Sequence, residues 1–282
     1  MPAPAGLKQR AKASAPDRLT FAAAISLALK SHVELCSHLI GVMRVGWFWL
    51  TLFATLSLSL NYALWPAEYA SWDEPNIEAQ LLIVFMLILT TLFGSLLAVP
   101  LHRRILLDEA MLVVSPIRAW PAVQTYYALS LLILMTAVTP VLIASWLLDP
   151  NIDIPGFFIA TLLATPLLVI YLGIRMTLIF PTLALDRPSA EVNTAWERTR
   201  WQTLAILVGG LVTALPSIAV TALLFVTLPD AYFAQPEDRG LFAVTSTIYE
   251  IAWMLTGLVT VTYLALLYRR MMLDTGVEAA PR

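Results

Sequence analysis

Long stretches without a charged side chain divide this sequence into six apolar segments. No residue between Arg44 and Glu68 is charged. Comparable or longer gaps follow at 78–103, 118–149, 153–175, 200–230 and 239–269, the last interrupted only by Glu250. A hydrocarbon core about 30 Å thick is crossed by roughly 20 residues of helix. The pattern therefore predicts six transmembrane helices, over about 45–66, 79–101, 121–148, 156–176, 202–228 and 243–268.

Composition favours an all-α polytopic membrane protein. Charged residues make up 13 % of the chain and apolar residues 59 %, against about 25 % and 45–50 % in soluble domains. We predict one six-helix membrane domain over 18–270, between a Pro/Ala/Lys-rich, disordered tail at 1–17 and a C-terminal tail at 271–282. The N-terminal apolar run is short and lacks a convincing cleavage site, so we expect the N-terminus to be retained. The net charge of -2 does not indicate a nucleic-acid partner.

The signs of the charges alternate between the connections. Every lysine and arginine except Arg239 falls in the N-terminal segment, the 102–120 and 175–201 loops or the C-terminus. The remaining connections carry acidic residues: Glu68, Asp73, Glu74, Glu78, Asp149, Asp153, Asp230, Glu237 and Asp238. An excess of Lys and Arg marks the cytoplasmic side of a membrane. We therefore expect both termini to be cytoplasmic, which requires an even number of spans.

Residues 19–44 differ from the spans because charges interrupt an apolar periodicity. The apolar positions recur at helical spacing and comprise Phe21, Ile25, Leu29, Cys36, Ile40 and Met43. One interpretation is an amphipathic helix that lies on the inner leaflet and leads into the first span. The alternative is a helix that packs on the cytoplasmic ends of the bundle.

Glu250 and Arg175 are the ionisable residues closest to membrane depth. Burying a charge at the bilayer centre costs at least ~2.5–3.5 kcal/mol, so Glu250 is a candidate functional residue. Counting about 20 residues back from Arg269 places it near the outer interface, with Ser246 and Thr247 as hydrogen-bond partners. A cavity-lining role is the alternative. Arg175 falls at the inner boundary, where it is expected to snorkel toward water.

Three prolines lie near the middle of the third, fourth and fifth predicted spans. Pro140, Pro166 and Pro216 each have a hydroxyl neighbour. Proline frees a backbone carbonyl one turn earlier, and discontinuous helices build binding sites in transporters. Neighbouring serines and threonines can also satisfy the freed carbonyl, which would make these prolines simple packing kinks. A shared cavity between these spans would favour a transport function.

The sequence offers little support for metal binding or catalysis. His32, Glu34, Cys36 and His38 are candidate ligand types, but on a helix they divide between opposite faces. No GxSxG, HExxH or P-loop pattern occurs. We therefore expect neither a metal nor a cofactor, and no enzyme activity.

The segment 188–201 is the best-defined polar element. Ser189 suits a helix N-cap, and Glu191 suits the first turn. Val192, Ala195, Trp196 and Thr199 form an apolar stripe, whereas Arg198 and Arg200 fall on other faces. We expect a short amphipathic helix at the cytoplasmic interface. It either connects two spans or, over 186–201, docks a cytoplasmic or membrane partner or senses anionic lipid.

Two segments resemble known proteins. One runs from Arg175 through Phe180-Pro181 and Asp186 to Ala195-Trp196 and Thr199-Arg200; the other is Leu101-His102-Arg103-Arg104 followed by Asp108-Glu109. They resemble bacterial multi-span membrane proteins of unknown function that are related to the membrane domain attached to some glycerophosphoryl diester phosphodiesterases. In those proteins a tryptophan often precedes His-Arg, where this chain has Leu101. The resemblance implies a helical inner-membrane protein and carries no activity over, because the soluble phosphodiesterase domain has no counterpart here.

Two functions follow from these observations. The first is a non-catalytic inner-membrane protein that organises or assists partners or lipids in the envelope. The alternative is a transporter or lipid-handling channel built on the proline-containing helices. A polar cavity that reaches the midplane between spans three, four and five would favour the alternative.

Overall fold

The computed structural model describes residues 18–63, 77–108, 117–147, 156–186, 190–227 and 239–273. Their regular structure is entirely helical, as predicted. The helices are α1 (Phe21–Ala63), α2 (Ile77–Leu107), α3 (Trp120–Leu147), α4 (Gly156–Arg175), α5 (Ile179–Ala184), α6 (Ala190–Thr199), α7 (Thr203–Thr227) and α8 (Arg239–Tyr268). A π-helical turn over Arg269–Leu273 extends α8 into the predicted C-terminal tail. The predicted disordered tail at 1–17 and the end of the C-terminal tail at 274–282 lie outside the described residues.

Five of these helices are long and apolar enough to cross a bilayer, namely α1, α2, α3, α7 and α8. The chain is thus a helical membrane protein, which confirms the broad reading of its composition. Helix α4, with 20 residues, occupies the fourth predicted span. At 1.5 Å per residue its length is about 30 Å. The full count of six spans remains a prediction.

Helix α8 is the centre of the bundle and packs against α1, α2 and α7. Its second half is buried almost without interruption, from Leu258 and Val259 to Thr262 and on through Tyr268. Surface helices of soluble proteins bury a single stripe, whereas a helix surrounded by others is apolar on all sides. The second half of α8 is therefore a core helix of the bundle and not a surface helix.

Helix α1 joins two elements that the sequence analysis separated. It runs for 43 residues, about 65 Å at 1.5 Å per residue, which is twice the thickness of a hydrocarbon core. Its buried face consists largely of small or short residues over its first half, with Ala24, Ala28 and Ser31 completely buried. The predicted apolar stripe instead faces outward, with Leu29 58 % and Ile40 83 % exposed. The small-residue face thus packs on the bundle, and the stripe is left free to contact lipid.

The end of the bundle where α2, α4 and α8 finish and α3 and α7 begin carries the arginines of the chain's basic loops; we call it the basic end. Two aspartates with positive φ of 53°, Asp108 and Asp186, terminate α2 and follow α5 there. Aspartate tolerates this conformation better than most residues because its short side chain bonds locally. Arg104 pairs with Asp108 at 2.9 Å, and Arg103 with Asp186 at 3.1 Å. The second ion pair ties the end of α2 to α5.

Candidate functional site

A cavity of about 490 Å³ opens between α3, α4, α7 and α8 on the side of the basic end. Its walls include Ile133, Leu134 and Ala137 of α3, Ile170 and Ile174 of α4, Leu207 and Leu211 of α7, and Leu264 of α8. Small-molecule pockets span about 300–1,000 Å³. The cavity therefore has the size of a ligand site. It lies between the third, fourth and fifth predicted spans, where a shared cavity would favour a transport function.

The few polar groups on the cavity wall are already paired with other protein groups. Ser130 donates to the Tyr126 carbonyl at 2.8 Å, and Thr177 to the Ile174 carbonyl at 2.8 Å. Thr260 and Thr213 pair through their hydroxyls at 3.0 Å, and the Tyr263 hydroxyl donates to the Ile206 carbonyl at 3.4 Å. The cavity thus presents apolar walls, unlike the polar cavity that would have favoured a solute transporter.

Glycines shape the wall contributed by α7. Gly210 lines the cavity, and a Cβ added there would meet no atom within 4 Å. Its neighbour Gly209 is different, because a Cβ there would overlap the hydroxyl and ring of Tyr263. Tyr263 can lie flat against α7 only because position 209 has no side chain. The two adjacent glycines therefore have opposite consequences: one permits close packing and the other leaves space.

Two of the three prolines, Pro140 and Pro216, do not line this cavity. Helices α3, α4 and α7 continue through Pro140, Pro166 and Pro216. Pro140 and Pro216 are not among the described lining residues, which lie at least three positions closer to the basic end. The side chain of Pro166 lies outside the described part of the structure. Ser217, next to Pro216, bonds to the Thr256 hydroxyl of α8 and so links two helices.

Glu250 sits in a polar cluster between α1 and α8. The Ser57 hydroxyl contacts Glu250 Oε2 and lies 3.0 Å from Thr247 Oγ1. Asn61 Nδ2 donates to Ser57 Oγ at 3.2 Å and to Glu250 Oε1 at 3.4 Å. The carboxylate therefore bonds directly to Ser57 and Asn61, residues of α1 that the sequence analysis did not connect with it. Thr247, one of its two predicted partners, joins the cluster only through Ser57.

The cluster faces the end of α1 remote from the basic end. Ser57 is six residues from the end of α1 at Ala63, or about 9 Å along the helix axis. Beyond it, Arg239 stacks on Tyr62 at 4.7 Å and bonds to the Tyr62 carbonyl. All four side chains of the cluster are used in bonds to each other or to α8, which accounts for Glu250 without a ligand. Its depth in a membrane stays a prediction.

Arg175 is buried and does not reach solvent as expected for a snorkelling residue. Only 2 % of its surface is exposed, and its guanidinium lies 4.2 Å from the centre of the Trp196 ring. Its carbonyl accepts a bond from Thr199 Oγ1 at 3.0 Å. Nε and Nη1 have no hydrogen-bond partner among the described residues. The cation–π contact explains how Trp196 of α6 is attached to the end of α4.

Helix α6 buries two residues of the predicted stripe against the bundle. Ala195 and Thr199 are completely buried, whereas Trp196 is 38 % exposed beside Arg175. Arg198 bonds to the Met271 carbonyl of the π-helical turn, and Arg200 stacks on the exposed Trp201 at 5.1 Å. The capping residues Ser189 and Glu191 and the stripe residue Val192 lie outside the residues or side chains described. A partner for 186–201 remains a prediction.

The sequence analysis missed a buried aromatic cluster at the basic end. His102 is completely buried, with its ring centre 5.8 Å from that of Tyr126 and Nε2 3.5 Å from the Tyr126 hydroxyl. Tyr126 also packs on Phe180 at 5.0 Å. Phe180 in turn lines the cavity. His102 and Phe180 belong to two segments that are far apart in the sequence. Their shared contact with Tyr126 is seen only in the structure.

Comparison with known proteins leaves the function to be argued from this geometry. No protein-family model matches the chain, and neither a curated protein nor a solved structure is significantly similar to it. Among the described residues, no group of three or more histidine, cysteine, aspartate or glutamate side chains could hold a metal ion.

Proposed function

We propose that this chain is a non-catalytic, lipid-binding protein of the bacterial inner membrane, and that the cavity between α3, α4, α7 and α8 takes a lipid acyl chain. The observation that carries the proposal is the cavity of about 490 Å³ whose hydroxyl groups are already paired within the protein. An acyl chain leaves no polar group unpaired there, whereas a polar solute would lose its bonds to water without replacement. The alternative of a solute transporter has less support for the same reason.

The energy available from such a ligand is substantial. Each buried methylene contributes about 0.8 kcal/mol relative to water. The gain relative to surrounding lipid is smaller, because lipid tails are as apolar as the cavity wall, so packing and lipid entropy must supply selectivity. The proposed role is therefore to organise or assist lipids or their partners.

We also propose six spans with both termini in the cytoplasm. Helix α4 has the length and position of the missing span, and the arginines gather at the basic end. Single reporter cysteines in a Cys36-replaced background test this. A cysteine at 70 or 235 should react with an impermeant reagent from outside, and one at 190 only after permeabilisation. Outside labelling at 190 would contradict the orientation.

The resemblance to the membrane domain associated with glycerophosphoryl diester phosphodiesterases remains part of the proposal. Its support is that Arg103 and Asp186, which belong to the two separate segments of the resemblance, form one ion pair. His102 and Phe180, from the same two segments, meet on Tyr126.

Filling the cavity tests the proposed function. Gly210→Leu places a side chain where a Cβ meets no atom within 4 Å. Gly257→Leu is the matched control, since Gly257 is exposed on α8 and equally open. Each variant is purified from native membranes in mild detergent, and the co-purified lipid per protein is measured. We expect Gly210→Leu to lose bound lipid while Gly257→Leu keeps the wild-type amount. Equal lipid content in all three proteins would overturn the proposal.

A further inference from the structure

A second cleft, separate from the acyl-chain cavity, lies between the first part of α1 and the end of α8. Its volume is about 370 Å³, and its lining consists of Leu27 and Lys30 from α1 together with Leu266, Arg269 and Arg270. Two leucines are thus combined with three cations, and no carboxylate is among the described residues that line the cleft. Leu27 and Lys30 are one helical turn apart, as are Leu266 and the two arginines, so two helix faces meet across it.

The three cations have no counter-ion in the part of the chain that the structure describes. Among the described residues, none of Lys30, Arg269 and Arg270 takes part in an ion pair or a side-chain hydrogen bond. Glu34 lies one turn along α1 from Lys30, but its carboxylate contacts His38 Nε2 at 3.4 Å. Other arginines of the basic end differ, since Arg103 and Arg104 are each paired with an aspartate.

The backbone at this position is also unusual. Arg269 and Arg270 begin the π-helical turn that ends at Leu273. Such turns are rare and occur frequently at functional sites. The same turn accepts a bond from Arg198 at the Met271 carbonyl, and Met271 and Met272 are buried. The two arginines are therefore mounted on a segment that is anchored on its other side.

We infer that this cleft binds the phosphate group of an anionic phospholipid. Like charges held together repel one another, and an anion between them removes that cost. Guanidinium groups match the geometry of phosphate oxygens, and basic pockets at the cytoplasmic ends of transmembrane helices suit anionic headgroups. Leu27 and Leu266 offer the apolar contact that a glycerol backbone and the start of an acyl chain require. The inference does not depend on what fills the other cavity.

Binding of a fluorescent phosphatidylglycerol to the purified full-length protein in mild detergent tests the site. Each cation near an anionic surface contributes about 1 kcal/mol, so Arg269→Gln with Arg270→Gln should weaken binding by about thirtyfold. Arg44→Gln with Arg118→Gln removes the same charge from exposed positions outside the cleft. That control should change binding little. The charge-preserving pair Arg269→Lys and Arg270→Lys should bind more tightly than the glutamine pair and less tightly than the wild type. Thermal unfolding in detergent shows that each variant still folds.

Competition identifies the source of the phosphate. Unlabelled phosphatidylglycerol should displace the probe, and phosphatidylcholine should do so poorly. Displacement by glycerol phosphate at concentrations similar to those of the lipid would support the phosphate site and assign it to a soluble ester. Equal weakening by the cleft pair and the control pair would overturn the inference, because binding would then follow net charge alone.

Discussion

The two halves of α8 differ in how much unfilled space lies beside them. The half nearer Arg239 carries Thr247 and Glu250, and both side chains are bonded to Ser57 of α1. The half nearer the basic end bonds its own polar groups to α7 but also borders the cavity, and it leads to the cleft, whose three cations have no ion pair among the described residues. In lipid a polar group must find its partner inside the protein. Both halves meet that requirement through neighbouring helices, but only the second half also leaves space and charge for a ligand.

Because of this difference, an ionisable residue within a predicted span need not mark a functional site. Glu250 is the residue that the sequence marks first, yet its neighbours Ser57 and Asn61 account for it as a structural contact. In the second half of α8, Thr256, Thr260, Thr262 and Tyr263 are bonded within the protein, and its functional interest comes from the cavity and the cleft beside it. The two proposed binding sites therefore rest on space and unpaired charge, and not on the rarity of a residue.

The largest effect on stability is expected at Gly209 of α7, a tightly packed position beside the open position Gly210. Gly209→Val should cost about 3 kcal/mol of stability, because its side chain would overlap Tyr263 and force the helices apart. Gly210→Ala should be neutral or stabilise by up to about 1 kcal/mol, since alanine favours helix and nothing lies within 4 Å. Thermal unfolding in detergent measures both. Similar costs at the two positions would show that the cavity wall is as tightly packed as its neighbour.

A smaller effect is expected at the polar cluster. Glu250→Leu leaves the Ser57 hydroxyl and the Asn61 amide without their shared acceptor and should cost about 2 kcal/mol. Glu250→Gln can still bond to both groups and should cost less than about 1 kcal/mol. Unfolding in urea compares the pair. If the glutamine variant is as unstable as the leucine variant, the carboxylate charge itself is required, and the cluster would become a candidate ion site.

The smallest effect is expected at the hydroxyl pair between α7 and α8. Ser217→Ala, Thr256→Val and the double variant form a cycle around the bond between these side chains. Interhelical hydrogen bonds in membranes contribute about 0.6 kcal/mol on average. A coupling free energy near that value would show that the serine after Pro216 joins two helices. A coupling free energy of zero would indicate that Ser217 only satisfies a backbone carbonyl of its own helix.

The spans could be predicted because exclusion of charge is a local signal. Helices α2 and α8 contain their predicted segments, and the bounds of α3 and α7 agree with theirs to within one residue at each end. The continuity of α1 could not be read in the same way. Lys30 and Arg44 interrupt the apolar pattern, and small residues such as Ala24, Ala28 and Ser31 do not stand out in a sequence as a packing face. A charge ends the buried part of a helix only on the face that carries it, and the buried face of α1 avoids these charges.

The candidate sites could not be predicted from the sequence, because they are formed by contacts between residues that are far apart along the chain. Ser57 and Glu250 are 193 positions apart, and Lys30 meets Arg269 and Arg270 only when α1 packs along α8. A cavity is hard to predict from a sequence, because the residues that line it are the same types as in any apolar helix. The adjacent Gly209 and Gly210 were a visible signal, but their opposite effects follow only from the position of Tyr263.

The central claim is that an acyl chain enters the cavity between α3, α4, α7 and α8. A phospholipid with a photoreactive group along its acyl chain tests it most directly, with the crosslinked residues mapped by peptide mass spectrometry in native membranes. We expect adducts on the segments 130–137 and 206–211, and their loss in Gly210→Leu. Adducts confined to outward-facing residues such as Leu167, Leu215 and Ile248, unchanged in that variant, would contradict the account.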